Sequence, residues 1–111
     1  SAASDVYKRQ HFVQGHVDGI VKIINIESLK DSAVWHFSLT DEHKMYIVEK
    51  GSICLDGISL TVAQKSSGYF SVALIPHTLH VTTWGQKKVD DLVNIEVDIM
   101  AKYIRNLMEK E

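Results

Sequence analysis

One cysteine, one proline and six glycines are all that the 111 residues hold of those types, and the scarcities exclude more than they leave open. A lone Cys54 has no internal partner, so no intrachain disulfide is expected, and the chain reads as a protein of a reducing compartment, with a cytoplasmic location. The few glycines form no phosphate cradle of the dinucleotide-binding or P-loop kind, so neither a dinucleotide nor a nucleoside triphosphate is suggested. Charge of one sign is also missing: twelve Lys and Arg stand against fourteen Asp and Glu, giving a formal net charge of −2. Without a basic stripe interleaved with aromatics, no nucleic-acid partner is expected. No apolar run approaches the ~20 residues that span a bilayer, and the start lacks the apolar core of a secretory signal, so no membrane partner is expected either. Six histidines are present, and His77 with His80 share an i, i+3 spacing. No second cluster of His, Cys or Asp supplies the remaining ligands at a recognisable spacing, so no metal is expected.

What is present suits one soluble globular domain: 45% hydrophobic and 23% charged residues, in a chain long enough for a single core. Residues 1–10 stand apart. They are polar, carry no strand or helix period, and Asp5 to Gln10 is what GAT GTG TAT AAG AGA CAG would encode, which resembles the transposon end used in preparing sequencing libraries. We therefore expect 1–10 to be a disordered or non-native leader, 11–97 a β-barrel and 98–111 a C-terminal helix, with the natural chain extending upstream of His11.

From Phe12 the pattern is mostly β. A long strand is expected to Ile26, with a bulge or close backbone approach at Gly15 and Gly19. Val34, Trp35, Phe37 and Leu39 mark a second strand over 33–39, and Asp41 is placed to cap a helical turn reaching Ile47. The segments 52–55 and 58–64 flank Asp56-Gly57, a pair that favours the tight turn suited to a hairpin's twist. Ser66-Ser67-Gly68 is a turn before a strand ending at Leu74. Pro76 opens a short helix, welcome at its first position, and 92–97 is the last strand. Met100, Tyr103, Ile104, Leu107 and Met108 recur at helical spacing after Asp98, a good cap. Six short strands with short helical turns and a C-terminal α-helix predict a mainly β, small six-stranded antiparallel Greek-key barrel, with a sandwich as the rival.

The strand after the hairpin turn has two chemically different faces. Ile58, Leu60 and Val62 point one way, Ser59 and Thr61 the other, presenting hydroxyls on a surface backed by core. That pattern suits a ligand wall, and equally an ordinary wet strand face. Cys54 reads as a buried, inert thiol.

Several segments in order resemble one family. They are Gly15-His16-Val17-Asp18-Gly19, Glu49-Lys50-Gly51-Ser52-Ile53, Asp56 through Val62, Leu74 through Leu79, Thr82-Thr83, and Val93 through Asp98 continuing to Ala101-Lys102-Tyr103. Together they look like the carboxy-terminal barrel of riboflavin synthase (alpha chain), a fragment lacking the amino-terminal barrel. Ser59 stands where the amino-terminal barrel of that family carries a cysteine, which marks this as the second barrel and leaves Cys54 without a catalytic role.

The resemblance implies that two molecules of 6,7-dimethyl-8-ribityllumazine exchange a four-carbon unit, giving riboflavin and a ribitylaminopyrimidinedione, with no cofactor. It further implies a homotrimer in the full-length form, with possible association with lumazine synthase. Substrate contacts are expected at Gly15, His16, Val17 and Lys50, at Ser59, Leu60 and Thr61, and at Ile75, Pro76, His77, Thr78, Leu79 and His80. Ser59 and Asp98 are the expected catalytic residues, handling or polarising protons. Asp98 reads equally as a helix cap, Lys50 as a solvated cation beside a turn, and His16 as a packing histidine. Because the family's sites lie between two barrels, this chain alone is expected to be inactive. The rival functions are a non-catalytic lumazine or flavin carrier and an interaction module that assembles through its last helix.

Overall fold

The computed structural model describes residues 18–109, with the side chains at 79–81 and 83 outside that description. The leader 1–10 and the Gly15-His16-Val17 segment therefore lie outside the described residues. Six strands close into an antiparallel barrel in the order β1-β2-β5-β4-β3-β6. They are β1 (Gly19–Ser28), β2 (Ala33–Ser38), β3 (Ser52–Leu55), β4 (Ile58–Lys65), β5 (Tyr69–Leu74) and β6 (Leu92–Val97). Strands β3, β4 and β5 are consecutive neighbours, and β6 returns to lie beside β3, which is the Greek-key arrangement. Among the described residues three helices accompany them, α1 (Asp41–Lys44), α2 (Pro76–Val81) and α3 (Ile99–Glu109), with a 3₁₀ turn over Thr83–Gln86. Closure leaves the sheet no free outer edge.

The β3–β4 hairpin forms as the Asp-Gly pair requires. Asp56 and Gly57 both take positive φ, 48° and 82°, the geometry of a turn whose twist matches that of the strands it joins. In β1 the irregularity lies elsewhere than expected. Ile23 pairs with Phe37 and Asn25 with His36, so Ile24 is the extra residue; the bulge lets Ile23 and Ile26 both face inward although three positions separate them. Gly19 instead marks a close approach. A Cβ there would sit 2.6 Å from His43 Cε1 and 2.9 Å from Nε2.

His43 explains that crowding. It is buried, with Nε2 3.2 Å from the Asp18 carbonyl oxygen and Nδ1 3.2 Å from Thr40 Oγ1. The carbonyl can only accept, so Nε2 donates to it and Nδ1 is left to accept from the threonine hydroxyl. The helix that carries His43 is shorter than expected, ending at Lys44, and Thr40 rather than Asp41 holds the extended cap backbone. Both His43 N and Lys44 N reach the Thr40 carbonyl.

Aromatic rings fill the barrel. Phe37 stacks on Phe70 at 5.2 Å, while Trp84 meets Trp35 and Phe37 edge-on at 5.2 and 5.9 Å. Trp84 arrives from the 3₁₀ turn, fully buried. Thr82 sets that entry: its hydroxyl donates to the Thr78 carbonyl and accepts from Trp84 N. The helix α3 begins as expected, with Asp98 Oδ1 accepting from Met100 N at 2.9 Å. Its apolar residues Met100, Tyr103, Ile104, Leu107 and Met108 are all exposed. Lys102 pairs with the carboxylate of Asp18, which also accepts from Val97 N, and this anchors the helix to the barrel.

Cys54 is buried, and burial pushes its thiol up from 9.0 to about 11; the Glu96 and Asp56 carboxylates add to the rise, and a hydrogen bond with the Gly57 backbone opposes it. A folded thiol that holds its proton more tightly than the unfolded one contributes stability in full below about pH 9, and loses it as the pH climbs through about 11.

Two outcomes follow for measurement. Gly19→Ala should cost about 1–3 kcal/mol through the clash with His43 and lower the melting temperature accordingly, and adding His43→Ala should cost less than the sum of the two single changes; additive losses would refute the contact. Cys54 should react with iodoacetamide at pH 8 at least about 100-fold more slowly in the native protein than in denaturant, since its thiolate fraction is that much smaller.

Candidate functional site

The site begins where a ladder ends. Strand β4 pairs with β5 through Val62↔Val72, Gln64↔Ser71 and Lys65↔Phe70. On its other side it pairs with β3 from Leu55↔Ile58 to Ser52↔Thr61. The half of β4 from Ile58 to Thr61 thus has a partner on one side only, because β5 beyond Val72 continues along β2, with Ala73↔Val34 and Leu74↔Ala33. Backbone groups of that half-strand face a gap, and such groups need a partner.

The gap is a cleft of about 480 Å³, floored by β4 from Ser59 to Ala63 and walled opposite by Ala73, Ile75, His77 and Thr78. That volume is in the range that holds small-molecule ligands. Pro76, at the first position of α2, turns the chain there. Ser59 is buried and Thr61 exposed, and neither hydroxyl has a hydrogen-bond partner among the described residues. Both remain available to a ligand. Small side chains at Ala63 and Ala73 leave the room.

Lys50 stands at the lip. It takes φ 69°, a left-handed backbone that costs a side-chain-bearing residue about 1–2 kcal/mol. Its N–H donates to the Val62 carbonyl at 2.8 Å, and Val62 N donates to Gly51 O at 2.9 Å, so the lysine is fixed at the end of the β3–β4 ladder. The adjoining Glu49 carboxylate turns away to accept from Lys65 N. No Asp or Glu lines the cleft.

Of the residues expected to bind substrate, Lys50, Ser59, Leu60, Thr61, Ile75, His77 and Thr78 are brought together here. Pro76 shapes the corner without lining it. Leu79 and His80 belong to α2, but their side chains fall outside the description, and Gly15, His16 and Val17 lie outside the described residues. Asp98 is not in the cleft. It follows Val97, which pairs with Ile53, which in turn pairs with Leu60, so it is two strands from β4 on the side away from the gap. Sequence reasoning missed Val62, Ala63 and Ala73, whose only signal was the pair of small residues flanking the irregular β4–β5 register. Among the described residues no group of three His, Cys, Asp or Glu is arranged to hold a metal, and no helix is long and apolar enough to cross a membrane.

Relatives resemble this chain in sequence along most of its length. The riboflavin synthase of Actinobacillus pleuropneumoniae is 42% identical over 101 residues, covering 91% of this chain and 47% of that protein. The riboflavin synthase of Saccharomyces cerevisiae is 40% identical over 109 residues, covering 94% and 46%. The chain thus spans about half the length of the curated relatives it matches. Among solved structures, LumP complexed with 6,7-dimethyl-8-(1'-D-ribityl) lumazine agrees with a TM-score of 0.70 at 23% identity, over 76% of this chain and 47% of that one. LumP complexed with flavin mononucleotide gives 0.73 at 18%, over 77% and 48%; at such identities the likeness is one of fold. The lumazine binding domain family matches residues 14–98. Since that match takes in every strand from β1 to β6, the chain belongs to the lumazine binding domain family.

Proposed function

We propose that the cleft beside β4 binds 6,7-dimethyl-8-ribityllumazine and riboflavin, and that the chain is the carboxy-terminal half of a riboflavin synthase. One observation carries this reading: the unpaired half of β4, with Ser59 and Thr61, faces the Ile75–Thr78 corner across a gap of ligand size. A flat heterocycle with donors and acceptors on its rim suits such a gap. Its edges meet backbone amides and carbonyls, and its face rests on Leu60 and Ile75.

The chemistry this reading assigns asks little of the protein beyond placement. Two lumazine molecules exchange a four-carbon unit, one becoming riboflavin and the other a ribitylaminopyrimidinedione, with all atoms retained. The 7-methyl proton of the substrate is already acidic, because the carbanion delocalises into an electron-poor ring. Holding two rings face to face supplies the larger share, ~7–11 kcal/mol for well-fixed geometry, against about 10²- to 10⁴-fold from a placed acid or base. Ser59 is the group we assign to polarisation at the ring edge. Asp98 enters as the cap that sets where α3 begins.

A single barrel offers one wall, so the second ring needs a second barrel. We assign the exposed apolar face of α3 to the assembly that supplies it.

Riboflavin added to the chain should lose fluorescence on binding. Thr61→Phe, an exposed position in the cleft, should weaken that binding by at least about tenfold, the scale of one blocked contact surface, with the melting temperature unchanged; undiminished binding would move the site elsewhere. The chain alone should convert no lumazine to riboflavin, and measured turnover would overturn the half-site reading.

A further inference from the structure

The wall of the cleft hangs on one hydroxyl. Thr78 is carried by α2, a helix of six residues, too short to hold its place by its own hydrogen bonds. Its amino end has no side-chain cap and no acidic residue in the first turn. Among the described residues α2 packs chiefly on the 3₁₀ turn that follows it, and Thr82 forms the joint. The Thr82 hydroxyl donates to the Thr78 carbonyl at 2.6 Å and accepts from Trp84 N at 3.2 Å. It thus closes one helix and opens the next. Opening a helix asks only for an acceptor, and aspartate serves there at least as well as threonine. What a carboxylate lacks is the donor, and here the donor is aimed at a residue that lines the cleft. The other end of the link is fixed: Trp84 is fully buried, its ring meets Trp35 and Phe37, and Lys87 lies over it.

Resting on the assignment of the cleft to a lumazine or riboflavin ring, we infer that Thr82 is a positioning residue for that ligand. It does not line the cleft. Through the Thr78 carbonyl it sets how closely the corner stands to β4, and so how tightly the cleft holds a ring that Thr82 itself does not touch. Without the donor the end of α2 frays and the wall recedes. The floor stays where it is, because β4 from Ile58 to Thr61 is held by its ladder with β3.

Riboflavin titrations of four chains, each at a temperature where it is fully folded, decide the matter. The visible circular dichroism of the bound flavin is a second readout, reporting how rigidly the ring is held. Thr82→Ser keeps donor and acceptor and should bind as the unaltered chain does. Thr82→Val keeps the shape and loses both, while Thr82→Asp keeps the acceptor for Trp84 N and loses only the donor. Both should bind about three- to tenfold more weakly, the scale of one hydrogen bond, with the dichroism reduced. A role confined to capping the 3₁₀ turn would leave aspartate as good as threonine, so full affinity in Thr82→Asp overturns the inference, and that variant decides alone if Thr82→Val does not fold. Equal affinity in all four chains sinks this inference and leaves the cleft assignment standing. An unaltered chain that binds no riboflavin sinks both.

Discussion

A strand that parts from its neighbour must find other partners for its amides and carbonyls, and that constraint organises this molecule. The long strands change partners along their length: β1 passes from β6 to β2, and β4 passes from β3 to β5. Beyond Val62↔Val72 the half of β4 towards Ile58 leaves β5, and there the parting opens a cleft. The bulge at Ala63 and the departure of β5 toward β2 produce that parting. The hydroxyls, the cation at the lip and the Pro76 corner all gather around the exposed half-strand. Chemistry is concentrated where backbone pairing is incomplete because such groups, left dry, would be costly to bury.

Much of this was legible in the residues. Strand 92–97 and the hairpin around Asp56-Gly57 carry local signals, alternation in one case and turn chemistry in the other, and local signals survive folding. The start of α3 was equally plain from Asp98 and the 3.6-residue spacing behind it. What escaped depends on register between strands distant in sequence. The bulge at Ile24 exists only relative to Phe37 and His36, and no glycine announces it. Likewise the extended cap backbone at Thr40 reflects the anchoring of His43 to Asp18, a contact spanning 25 positions. The cleft was half visible: strand alternation after the Asp-Gly turn marked the hydroxyl face of Ser59 and Thr61 and a family resemblance marked the Ile75–Thr78 corner, while Ala63 and Ala73 carry no individual signal. Asp98 lies beyond the gap because strand order, which no local pattern encodes, sets β3 and β6 on the far side of β4.

The outward row Ser59, Cys54 and Glu96 shows how a strand face can be polar and dry together. These three residues sit on adjacent strands in register, and all are buried. A thiol between a hydroxyl and a carboxylate suggests reactivity at first sight. Desolvation and the adjacent negative charge both favour its protonated form, so the same neighbours that invite the comparison suppress the nucleophile.

Thr82 joins the cleft corner to the centre of the molecule. Its hydroxyl takes the Thr78 carbonyl on one side and the Trp84 amide on the other, and Trp84 is wedged among Trp35 and Phe37. Thr78 and Trp84 are thus linked through one hydroxyl, and the indole end of that link is closely packed. The wall at Thr78 is consequently tethered to the ring cluster at the barrel's centre, so a change of side-chain volume at Trp84 would be transmitted to the corner through the two hydrogen bonds of Thr82.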